Sequence, residues 1–205
     1  LIAWILAHTR HIRVGSGGVM LQHYSPYKVA ENFNLLASLA PGRVDLGVGK
    51  APGGLPLSTK ALQQGINPEA KGDFISQLRA LDQWLTASPA TEGEDPLLAT
   101  PLPPRPATRF LLGASEASAQ LAAELNWQFV FAAHLNGDRQ ELDRALTTYR
   151  THSKGQSPLL AVQAIVADNE AEADLLAADL QQFRVHVDNA VSYTHLTLPT
   201  KRIVE

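Results

Sequence analysis

Short runs of β-branched or apolar residues alternate along the chain with glycine-rich or polar turns and with stretches whose apolar positions recur every three to four residues. This is the order of parallel βα units. Five strands are predicted. The first covers about Ile12 to Leu21. Ser25 and Pro26 then supply the N-cap and N1 residue of a helix whose Val29, Phe33 and Leu36 share one face. Pro41-Gly42 ends that helix, and Val44 to Val48 forms the second strand. After a long polar loop, Asp73 to Leu85 reads as a helix with Phe74, Leu78, Leu81 and Leu85 on one side. Thr86 to Pro106 carries six prolines and little periodicity, so it reads as an extended connection and not as a Gly/Ser linker. Arg109 to Gly113, Phe129 to Ala133 and Leu159 to Val166 are the remaining strands. Each is followed by a helix: Ser115 to about Leu125, Arg139 to Tyr149, and about Glu170 to Phe183.

Both ends depart from this rhythm. Seven mostly apolar residues precede His8, too few to span a bilayer, and they read as the end of an amphipathic helix whose beginning is absent. Ser192 to Glu205, SYTHLTLPTKRIVE, has neither helical nor alternating order and resembles a translated sequencing adapter. Native sequence is therefore expected to stop near Val191.

Composition narrows the classes of function. With 205 residues, 45% hydrophobic and 18% charged, the chain has the apolar material of a globular core. A formal net charge of -3 provides no basic field for nucleic acid or an anionic membrane surface. The absence of cysteine excludes disulfides, zinc-thiolate sites and thiol nucleophiles, and a cytoplasmic location is expected.

The candidate chemistry sits where strands end. Gly15-Ser16-Gly17-Gly18 lies late in the first strand, where glycine marks either a bulge or a close approach of backbone to a ligand. Gly47-Val48-Gly49-Lys50 closes the second and offers a cation, although an isolated lysine is more often solvated. Gly113-Ala114-Ser115-Glu116-Ala117-Ser118 joins the third strand to a helix. Ser115 there is an N-cap and Ser118 lies one turn in, which suits either a plain capped helix or a phosphate seat. The run Gly47 to Gly53 is one residue too long for the dinucleotide fingerprint, and Ala51 stands where a P-loop needs Ser or Thr. His23 and His134 follow strands and are expected to line a pocket, and the seven histidines have no metal-site spacing. No GxSxG elbow supports a hydrolase.

HIRVGSGGVMLQHYSPYKVAENFNLLASLAPGRVDLGVGKAPG resembles the third-strand to fourth-strand block of bacterial luciferase-like monooxygenases, and RFLLGASEASAQLAAELNWQFVFAAHL resembles their fifth-strand to sixth-strand block. The resemblance implies a (β/α)8 TIM barrel that binds FMN at the C-terminal strand ends, present here as about strands three to seven. Residues 1–191 would then form a partial flavin-binding barrel, and 192–205 a non-native tail. A non-proline cis peptide of the family falls on Gly17-Gly18, where a glycine pair minimises side-chain crowding. The family's arginine near the flavin phosphate falls on Lys50, which keeps the charge but lacks the bidentate fork. Its hydroxyl pair falls on Ser115 and Ser118, and Ala114 replaces a carboxylate, leaving only backbone contact there.

The implied reaction uses reduced FMN, supplied by a separate flavin reductase, and dioxygen to oxygenate a small organic substrate. The histidine that supports this chemistry in luciferase follows the second strand, upstream of residue 1, so no catalytic residue is assigned. Two other readings are a deazaflavin-dependent dehydrogenase of the same superfamily and a non-catalytic flavin-binding relative. Relatives are commonly dimers through helices of the early βα units. A barrel of five strands would leave apolar edges open, so the chain alone is expected to be poorly soluble or inactive.

Overall fold

In the computed structural model, which describes residues 1–50, 56–87, 97–134 and 137–178, five parallel strands form one sheet in the order in which they occur in the chain. They are β1 (Val14–Met20), β2 (Val44–Gly49), β3 (Thr108–Gly113), β4 (Gln128–Ala132) and β5 (Leu159–Ala161). The helices are α1 (Ile2–His8), α2 (Pro26–Leu39), α3 (Pro56–Leu62), α4 (Pro68–Lys71), α5 (Phe74–Thr86), α6 (Glu116–Glu124) and α7 (Arg139–His152). A 3-10 turn, Leu21–His23, follows β1, and residues 170–178 are helical.

Parallel strands covered on both faces need apolar residues without strict alternation, and β2 buries Val44, Leu46, Gly47 and Val48 in this way. The helices lay one apolar stripe each onto this core. Val29, Phe33 and Ala37 of α2 are buried, as are Leu78, Leu81 and Leu85 of α5, Ala119 and Ala122 of α6, and Ala145 and Tyr149 of α7. Side-chain oxygens start three of them: Asp73 accepts from the Ser76 N–H at 2.7 Å, Ser115 from the Ser118 N–H at 3.3 Å, and Asp138 from the Gln140 N–H at 2.8 Å.

Helix α6 ends at Glu124, and two residues on, the φ of 56° at Asn126 lets the Asn126 and Trp127 N–H groups reach back to the carbonyls of Ala123 and Ala122, at 3.1 and 2.9 Å. That turn drops the Trp127 indole into the core, where Nε1 donates to Asp82 at 2.7 Å. The same carboxylate oxygen accepts from Arg109 at 2.7 Å. The Tyr149 hydroxyl lies 2.8 Å from the Trp127 carbonyl and 2.7 Å from Gln156 Oε1, two acceptors that share its one proton. Burial pushes this phenol up from its ordinary pKa. Arg43 holds α1 against the sheet by donating to the Leu6 carbonyl at 2.7 Å and to Thr9 Oγ1 at 3.1 Å.

Beyond one-residue shifts at strand ends, the structure departs from the pattern in these places. The first strand starts at Val14 and ends at Met20, because Leu21 turns into the 3-10 segment and is fully buried there. The long polar loop contains α3 and α4, too short and polar to show a periodic face. The fifth strand ends at Ala161, and Val162 and Val166 beyond it are 63% and 90% exposed, since β4 is only five residues long and offers no further ladder. Leu36 is only half-buried at the edge of the α2 stripe. Pro52, Gly53, the end of the final helix and the 192–205 tail lie outside the described residues. No helix among the described residues is long and apolar enough to cross a membrane.

Candidate functional site

Because all five strands point the same way, their C-terminal ends share one rim, the face on which β/α barrels place their chemistry. Three of the marked segments meet along it. At the end of β1 the Gly17-Gly18 peptide is cis, and the β1–β2 register shifts between Gly17 and Val19. A Cβ on Gly18 would stand 2.8 Å from the Gly47 carbonyl oxygen, so glycine is needed for the backbones to approach this closely. A Cβ on Gly17 would meet nothing within 4 Å. One glycine is thus pressed against β2 and the other faces open space. Ser16 pins the junction by donating to the Gly47 carbonyl at 2.8 Å and accepting the Gly47 N–H at 3.1 Å.

Gly49 pairs with Leu112, so Lys50 and Gly113 follow at the same level of adjacent strands. Lys50 is exposed, and its charge is a smaller cause of the low pKa of Asp73, whose carboxyl is held below the ordinary range chiefly by Ser76. A Cβ on Gly113 would collide with Ser118, and its absence lets the first turn of α6 close onto the end of β3. The result is a hydroxyl pair: Ser115 Oγ caps the helix through the Ser118 N–H at 3.3 Å and lies 3.0 Å from Ser118 Oγ. Ala114, between strand and cap, is partly buried against the core.

The open glycine face, the two hydroxyls and the neighbouring cation form a donor set compatible with a flat ring carrying a phosphate. One feature of the helix end runs against an anion. Glu141 of α7 accepts the Glu116 N–H at 2.8 Å and pairs with Arg144 at 2.6 Å. The Arg144 hydrogen bond and then the Glu116 N–H hold Glu141 below the usual carboxylate range. Sequence pattern offers no sign of this contact, which spans two helices.

The two strand-end histidines part company. His134 is half-buried, and its N–H donates to the Ala161 carbonyl at 3.2 Å, fastening β5 to the end of β4. His23 is 4% exposed, with Nδ1 at 3.1 Å from the Gln63 amide nitrogen. Gln63 follows α3, so nothing in the local pattern around His23 points to it.

Comparison with known proteins identifies the family and the fold. The family described as luciferase-like monooxygenase matches residues 1–197. An N-acetyl-S-alkylcysteine monooxygenase of Bacillus subtilis (strain 168) is 47% identical over 153 residues, which are 74% of this chain and 46% of that protein. The crystal structure of apo-MsnO8 superposes with a TM-score of 0.72 at 33% identity, over 97% of this chain and 63% of that one. The oxygenating constituent of 3,6-diketocamphane monooxygenase from Pseudomonas putida, a type II Baeyer-Villiger enzyme solved in complex with FMN, gives a TM-score of 0.64. At 18% identity, over 93% of this chain and 60% of that one, it shares the fold alone. The chain spans about half the length of the curated relatives it matches. With its five parallel strands, the chain matches these TIM-barrel monooxygenases over about 60% of their length. The chain belongs to the luciferase-like monooxygenase family, a family of flavin-dependent monooxygenases.

Proposed function

We propose that this rim is the flavin-binding part of an FMN-dependent monooxygenase that oxygenates a small organic substrate, with reduced FMN delivered by a separate reductase. The observation that carries the reading is the Ser115–Ser118 hydroxyl pair, 3.0 Å apart, at the start of α6, which follows the strand paired with the one that Lys50 ends. In this reading the two hydroxyls and the Lys50 ammonium hold the phosphate. The Gly17-Gly18 backbone supports the ring, and Ala114 contributes only backbone. Reduced FMN supplies the electrons that activate dioxygen, and the chain binds and orients the cofactor and keeps water from the ring. The first substrate to assay is a thioether such as N-acetyl-S-methylcysteine, after the name of the Bacillus subtilis relative, an N-acetyl-S-alkylcysteine monooxygenase.

Titration by quenching of flavin fluorescence tests the phosphate seat. FMN is expected to bind more tightly than riboflavin, which has no phosphate. Ser118→Ala and Lys50→Gln should each weaken FMN about tenfold, about 1.4 kcal/mol, and leave riboflavin nearly unchanged. Equal affinity for FMN and riboflavin would sink the reading.

A further inference from the structure

We propose that His23 contacts the bound ligand at this rim and donates a hydrogen bond from Nε2 to an acceptor oxygen of carbonyl type. Only the identity of that ligand rests on the flavin reading. The 3-10 turn that carries His23 leaves β1 directly after Met20, which pairs with Gly49, so the imidazole stands three residues beyond the strand end that neighbours Lys50. His23 is 4% exposed, yet only one of its two ring nitrogens is used. An amide nitrogen can only donate, so the Gln63 amide gives its hydrogen to Nδ1 and the ring proton belongs on Nε2.

Nε2 has no hydrogen-bond partner among the described residues. Three other buried side-chain atoms share that condition: Asn34 Oδ1, Ser38 Oγ and Gln77 Oε1. All three are oxygens on α2 and α5. His23 Nε2 is the nitrogen of the set and the one carried by a strand-end turn on the rim. A buried donor is normally satisfied, and one that is anchored on one edge and unmet on the other is arranged for a partner that arrives later. Two carbonyl sources fit: the pyrimidine edge of the flavin, or an amide or carboxyl oxygen of the organic substrate.

Ring-nitrogen NMR of the chain labelled with 15N-histidine tests this without turnover, with His23 assigned by the signal missing from His23→Phe. The free chain should show the Nε2–H tautomer, and an Nδ1–H tautomer overturns the proposal. Addition of FMN should shift the Nε2 signal if the flavin is the acceptor. A shift only when N-acetyl-S-methylcysteine is added identifies the substrate instead, and both results support the contact. His23→Phe should weaken whichever probe shifts the signal about tenfold, and His23→Gln, which keeps a donor, should weaken it less. A signal indifferent to both probes overturns the proposal. Flavin fluorescence in the same samples separately reports whether FMN is bound, so the flavin reading can fail or stand by itself.

Discussion

A methyl group at position 47 would collide with the Ser16 carbonyl oxygen and come within 3.1 Å of Leu112 Cδ1. The Ser16 backbone cannot yield easily, since Ser16 and Gly47 are joined by two hydrogen bonds across β1 and β2. Gly47→Ala is therefore expected to cost about 2 kcal/mol or more, read as a lower midpoint in urea denaturation. A midpoint within error of wild type would contradict the close approach. The glycines were visible in the sequence, and so was the choice they posed between bulge and close approach. Resolving it needed to show that Gly18 meets the Gly47 carbonyl while Gly17 meets nothing, a difference between adjacent identical residues that no composition can carry. His23 was legible as a pocket residue by its place after a strand. Its partner Gln63 was not, because forty residues and two helices separate them.

At the scale of elements, long periodic helices and buried strands read well, because α2, α5, α6 and α7 each commit several apolar positions to one stripe. Elements with little to bury read poorly, as α3, α4 and the truncated β5 show. Contacts between helices read least well. The link from Glu141 on α7 to the Glu116 N–H at the start of α6 joins two caps through one carboxylate, and it makes stability depend on acid. A glutamate in the unfolded chain titrates near ~4.3. Arg144 and the Glu116 N–H lower the value in the folded state, so folding favours the ionised form. The contribution is complete above the unfolded value and is lost as pH falls through the lower, folded one. The melting temperature of wild type should thus fall more steeply between about pH 5 and pH 3 than that of Glu141→Gln. Parallel curves would show that the contact adds nothing.

For the whole molecule, the sheet has two sides on which no strand pairs among the described residues, along β1 and along β5. On β5, Leu159 and Leu160 are about half exposed, at 48% and 49%. An unpaired edge with apolar side chains is a template for a second chain. The chain should sediment as larger species with rising concentration, and Leu160→Lys should shift it toward monomer, because a charge on an edge strand opposes pairing. A single monomeric species at all concentrations would remove the edge as a driving force.

The strand order β1-β2-β3-β4-β5 repeats the order of synthesis. No strand must be inserted between two that are already joined, and every ladder partner of a new strand has already left the ribosome. The edge uncovered at each step is the one that the next βα unit covers. Growth can thus proceed from one side, as bricks are added to a course, with the rim residues brought into line by the same sequence of additions that extends the sheet.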